Sequence, residues 1–157
     1  MVATGILAPA IAPHSYSTQS LLKRLQAPSG SHWLGTDGYG RDVLTRVIWG
    51  SRVSLEIGFV ATGLSILVGT ALGGAAGYFA GTVDAGLMRV ADVFLAVPSL
   101  FLILVVVALF GASVANSALV IGLVTWAPVA RIVRGECLSL RAREFVDAAR
   151  ALGASHR

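Results

Sequence analysis

Little in this chain is equipped for covalent chemistry. Its histidines, His14, His32 and His156, stand far apart without metal-ligand spacing, so each reads as a surface or headgroup residue rather than a ligand. A single cysteine, Cys137, excludes an internal disulfide and a zinc cluster and reads as a small filler at a helix end. Ser65, Ser99, Ser117 and Thr125 lie in or beside apolar runs, but no histidine shares those runs, which argues against an intramembrane serine–histidine site. The only lysine, Lys23, sits in "SLLK", which is no glycine-rich phosphate cradle; the chain does not hydrolyse ATP. "GTDGYGRD", residues 35–42, matches neither a G-x-G-x-x-G turn nor a calcium loop. It reads as a turn-rich approach to a helix beginning near Val43, with Asp37, Arg41 and Asp42 as structural pairs or as part of a surface facing another protein.

The distinctive spacing lies in the tail, "RAREFVDAARALGAS", residues 141–155. On a helix, Phe145, Ala149 and Leu152 fall at i, i+4, i+7 on one face. Arg143, Asp147 and Arg150 share that spacing on nearly the opposite face, with Arg143 and Asp147 placed to pair. Gly153 suits a C-cap. Periodicity alone allows such a helix to lie on lipid or in a protein groove. Its apolar face, one Phe, one Leu and alanines, is small and suits a groove better.

The elements that must carry this helix are greasy. The 157 residues are 55% hydrophobic and 13% charged, with a mean hydropathy of +0.78. Ordinary soluble domains carry about 25% charge, so the composition indicates a membrane protein. The net charge of +4 does not imply nucleic acid, because the basic residues flank apolar runs and form no patch interleaved with aromatics. Residues 57–83 contain no charge; as helix they extend about 40 Å, enough to cross a bilayer. Gly69, Gly73, Gly77 and Gly81 recur every fourth residue there, a stripe along which another helix can pack closely. Residues 93–130 are also uncharged, too long for one span, and broken by "GASVANS" at 111–117. Membrane helices are therefore expected at about 53–80, 85–110 and 117–134, with kinks at Pro98 and Pro128. Residues 1–13 read as the remnant of a first membrane helix whose beginning is absent, and 14–52 as an external segment. Glu56, one turn after Arg52 at the mouth of the glycine-rich span, reads as a structural acid at the membrane edge. Basic residues number seven on the tail's side and five opposite, which favours a cytoplasmic tail without fixing it.

With these elements in place the chain becomes recognisable. "EFVDAARALGAS" resembles the EAA loop of binding-protein-dependent ABC transporter permeases, with Asp147-Ala148-Ala149 in place of Glu-Ala-Ala and Gly153 following after three intervening residues. "HWLGTDGYGRDVLTRVIWGSRVSL", "DVFLAVPSL" and "WAPVARIVRGECLSLRAREFVDAARALGAS" are similar to the peptide/nickel branch, the dipeptide-permease C-type subunits. The likeness runs from His32 to the end. The family's Ile-x-Leu-Pro element and last two membrane helices have no counterpart, so the chain reads as a fragment truncated at both ends.

The resemblance implies an all-α, polytopic membrane helical bundle of the ABC importer permease type, partial, with about three complete transmembrane helices. Residues 53–157 would form this partial permease domain, ending in an EAA-type coupling loop at about 135–157. It implies a coupling role for Glu144, Phe145, Asp147, Ala148, Ala149, Leu152 and Gly153, with Arg143 and Arg150 at the polar rim. The implied partners are a second permease subunit, two cytoplasmic ABC ATPase subunits, a periplasmic or lipid-anchored substrate-binding protein and the lipid bilayer. Nucleic acid is not among them. No cofactor or metal would bind this chain; ATP and Mg would sit on the ATPase subunits. The implied cargo is di- or oligopeptides, or nickel, imported across a bacterial inner membrane. A self-contained channel or secondary carrier is the rival, but such proteins place polar groups at mid-membrane and this chain has nearly none there.

Overall fold

A computed structural model describes residues 2–111 and 113–153, Arg150 by its backbone alone. Every regular element among the described residues is helical, save one isolated antiparallel bridge between Thr36 and Asp42. The helices are α1 (Val2–Ile6), α2 (Ala8–Ile11), α3 (Val43–Phe79), α4 (Gly81–Ala96), α5 (Ser99–Phe110), α6 (Val114–Val124), α7 (Trp126–Arg141) and α8 (Glu144–Ala151). A single 3-10 turn at Leu21–Lys23 lies between α2 and α3. The chain divides into two compact units, residues 1–58 and 59–157, and α3 contributes to both.

The first unit is loop-rich and is organised by carboxylates. Asp37 accepts from the backbone N–H groups of Tyr39 at 2.8 Å and Arg41 at 3.0 Å. Its other oxygen takes Arg41 Nε at 2.9 Å and Arg46 Nη1 at 2.6 Å. Those donors hold the carboxyl well below the usual range: the Arg41 backbone N–H contributes most, partial burial opposes it, and Tyr39 and the two guanidinium groups add to the lowering. Asp42 precedes α3 and accepts from the Thr45 N–H at 2.8 Å, an N-capping arrangement. Gly40 has φ +70, and a Cβ there would lie 2.6 Å from the Ser20 carbonyl carbon, so both its torsion and its neighbour demand glycine. Arg52 lies over the Trp49 ring at 5.9 Å, and Glu56 lines the same cavity of about 420 Å³.

The second unit holds the apolar helices. Two segments are long and apolar enough to cross a membrane: Val43–Phe79, and Val114–Arg141, which comprises α6 and α7. The pair α4 and α5 makes a third only if a bend of 83° is allowed within one span. Pro98 thus does more than kink a helix over 85–110. It has no N–H for the Phe94 carbonyl, and it drives the preceding Val97 into extended backbone (φ −93, ψ 126), so α4 ends and a new helix starts. Pro128 acts similarly: lacking an N–H for the Val124 carbonyl, it leaves α6 to stop at Val124, and α7 begins beyond Thr125. α3 begins at Val43, where the turn-rich approach predicts a helix, and runs unbroken into the membrane span expected from about 53, because Asp42 caps it and nothing between Val43 and Val53 breaks a helix.

The core of this unit is small-residue packing. Ala91, Trp126, Ala127 and Ala130 are buried, flanked by Val68, Leu72, Met88 and Phe94. The Phe94 and Trp126 rings meet edge-on with centroids 5.4 Å apart. Large side chains such as Phe101, Leu104 and Leu109 of α5 are exposed, the arrangement expected where lipid replaces water. The α5–α6 turn is knitted by Ser113, whose hydroxyl caps α6 at the Asn116 N–H, and by the Asn116 amide, which donates to the Phe110 and Gly111 carbonyls.

Candidate functional site

The tail forms a helix of its own, shorter than the 141–155 stretch whose spacing predicts it. α7 ends at Arg141 and Ala142 caps it; α8 starts at Glu144. Within α8, Glu144 and Asp147 occupy the first turn, where the helix dipole favours acids. Phe145 is 63% exposed and Leu152 89%, and Ala148 and Ala149 beside them are exposed too. These four residues present a small apolar surface that no described residue covers. Gly153 has φ +88, the left-handed torsion of a helix-terminating residue. The side chain of Arg150, and residues 154–157 with His156, lie outside the described residues.

α8 is carried by α7, and α7 is held at three levels. At the first, Arg131 pairs with Asp92 of α4. At the second, Arg134 forks onto Asp84 of α4: Nη2 lies 2.6 Å from Oδ2, while Nε bonds Oδ1. A planar guanidinium meeting a carboxylate in this two-bonded way fixes direction as well as distance. At the third, Arg141 Nη1 donates to the Tyr78 carbonyl at 2.9 Å and, more weakly, to Gly77 at 3.4 Å. These are carbonyls of the last turn of α3, which have no intrahelical donor, and a cation there also suits the dipole.

The glycine stripe explains how α7 approaches α3. A Cβ on Gly69 would lie 2.6 Å from Val129 Cβ, and one on Gly73 would lie 2.8 Å from Ala130 Cα. One on Gly77 would collide with the Cys137 side chain and lie 2.9 Å from the Arg134 carbonyl oxygen. Gly81 differs. It has φ +59, and a Cβ there would meet no described atom within 4 Å; with Ala80 at φ 54 it turns the chain from α3 into α4. Two further contacts had no sequence signal. A Cβ on Gly122 of α6 would lie 2.8 Å from the Ala61 carbonyl oxygen, and Ser65 donates to the Thr125 carbonyl at 2.9 Å, at the α6–α7 break.

A second cluster, in the first unit, corrects the view that the histidines are scattered. His14 and His32 stack with ring centroids 4.9 Å apart, and both present Nδ1 to Asp42, at 3.9 Å from Oδ2 and 3.0 Å from Oδ1. The chain between them folds back through Gln26–Thr36 and Asp37–Leu25 backbone bonds, so residues far apart in sequence converge. Burial works to raise the Asp42 pKa, but the Thr45 donors, the His32 ring and the nearby His14 outweigh it, and the carboxyl sits below its usual value.

Residues 69–157 match the family model for the "binding-protein-dependent transport system inner membrane component". The dipeptide transport system permease protein DppC of Alkalihalophilus pseudofirmus is 41% identical to this chain, over 95% of the chain and 49% of that protein. The nickel transport system permease protein NikC of Escherichia coli is 41% identical, over 92% of the chain and 52% of its own length. The oligopeptide transport system permease protein OppC of Bacillus subtilis is 36% identical, over 98% and 50%. The chain spans about half the length of the curated relatives it matches.

Proposed function

Because this chain belongs to the family of binding-protein-dependent transport system inner membrane components, we propose that it supplies part of the membrane pathway of an ATP-driven importer. Membership makes it a multi-pass inner-membrane component and not itself the ATPase. In this reading α8 is a cytoplasmic coupling helix. Phe145, Ala148, Ala149 and Leu152 enter a groove on an ATPase subunit, Glu144 and Asp147 line its polar rim, and Gly153 turns the chain back. The observation that carries the reading is the exposed apolar face of α8, two residues beyond a helix fastened to α3 and α4. Force applied to α8 would then reach the membrane helices as rigid-body motion.

The importer would contain a second permease subunit, two ATPase subunits holding ATP and Mg, and a substrate-binding protein that delivers cargo; this chain would bind no cofactor. We place di- and oligopeptides first among cargoes and nickel second, since the relatives named for peptide transport include DppC and OppC while NikC is equally similar. The test is co-purification of the ATPase with the complete subunit carrying Ala149→Trp or Ala148→Glu. Association should fall at least about tenfold, equivalent to about 1.4 kcal/mol, while membrane insertion is retained. Undiminished association would sink the assignment.

A further inference from the structure

We propose that His14, His32 and Asp42 form a binding site for a divalent transition-metal ion of the zinc type. One ligand atom from each lies within 4.8 Å of the others. His32 Nδ1 and Asp42 Oδ1 stand 3.0 Å apart, a hydrogen-bond distance only a few tenths of an ångström short of the roughly 3.3–3.4 Å between two ligands on a tetrahedral ion with bonds of about 2.0–2.1 Å. His14 Nδ1, 3.9 Å from Oδ2, is slightly too far, but its side chain is 41% exposed and free to close the gap. Imidazole and carboxylate together suit zinc and its neighbours rather than calcium or magnesium, which prefer oxygen alone.

The site is built rather than incidental. The Asp42 and His32 side chains are 2% and 8% exposed, so two of the three ligands are fixed by packing. Asp42 Oδ2 accepts from the Thr45 N–H at 2.8 Å, which orients the carboxylate and leaves Oδ1 for the ion. The His14 backbone N–H donates to Thr45 Oγ1 at 3.3 Å, so the same residue anchors the third ligand. The ion would take the place of the proton between His32 and Asp42. With the ion on Nδ1, the His32 proton would sit on Nε2, which is buried and has no partner among the described residues, a cost that the metal bonds would have to offset. Three protein ligands leave a fourth position open beside His14, the exposed member. The assignment is independent of the transport reading.

The test is Co²⁺ titration of the complete, tag-free protein in detergent after chelator treatment, followed by displacement with Zn²⁺. One equivalent should bind, with visible absorption bands of a low-symmetry Co²⁺ site. His14→Gln should weaken Zn²⁺ binding by at least about tenfold, since even loss of an outer-shell partner costs that much, and should leave the metal-free melting temperature unchanged. His14→Cys should retain binding and add a thiolate-to-metal charge-transfer band. His156→Gln should bind as the parent does. Absence of saturable binding, or parental affinity in His14→Gln, overturns the proposal.

Discussion

Arg134 and Asp84 lie 50 residues apart in sequence and meet fork to fork, binding the middle of α7 to the first turn of α4. Both side chains are partly shielded, at 34% and 15% exposure. Asp84→Asn keeps the shape and removes the charge. It should destabilise the detergent-solubilised subunit by about 1–2 kcal/mol, between the values for exposed and for fully buried pairs. Arg134→Lys should cost nearly as much, because an ammonium cannot make both bonds at once. Thermal unfolding followed by circular dichroism measures both; a melting temperature unchanged in each variant would mean the pair is not structural.

Gly73 and Gly74 are adjacent on α3 and should respond oppositely. Gly73→Ala pushes a methyl group into the Ala130 backbone, and overpacking of that kind costs about 1–3 kcal/mol. Gly74 has open space around it, and Gly74→Ala should be neutral or stabilising by up to about 1 kcal/mol through helix propensity. Equal effects from the two substitutions would contradict the close approach of α7 along this face.

The sidedness of α8 can be read chemically. With Cys137→Ala as background, a single cysteine placed at the exposed Ala151 should react with an impermeant maleimide only after the cell membrane is opened. Labelling of intact cells would put α8 on the outside and end its assignment as a coupling helix.

The Asp37 turn should tolerate mild acid. Its folded carboxyl titrates below the unfolded value of about 3.9, so its stabilising contribution is complete above that pH and declines only as pH falls further toward the folded value. Fluorescence from Trp33 and Trp49, which flank the turn in sequence, should stay constant from pH 7 to about 5. Asp37→Asn should show the altered spectrum at every pH. A transition in the parent near pH 6 would show that another group controls the turn.

The tail helix and the membrane character of the chain are legible because both are written locally: residues three and four apart share a face, and an uncharged run declares itself by composition. Pro98 and Pro128 announce interruptions, yet a proline specifies a missing donor and not the resulting angle, so the 83° turn between α4 and α5 is out of reach of the sequence. Gly81 joins the packing stripe by spacing alone, because a four-residue rhythm carries on past the point where a helix ends; the positive torsions of Ala80 and Gly81 end it first. The grouping of His14 and His32 around Asp42, like the Asp84–Arg134 fork, depends on chain reversals that no local pattern encodes.

The guanidinium of Arg141, donating to Tyr78 and Gly77, acts as a tether at the last residue of α7. Lifting the end of α7 away from α3 would strip a donor from two carbonyl oxygens that have no helical replacement. If α8 is the coupling helix proposed above, a tug on the tail would be resisted at its root, and the end of α3 at Phe79 would be drawn along with it.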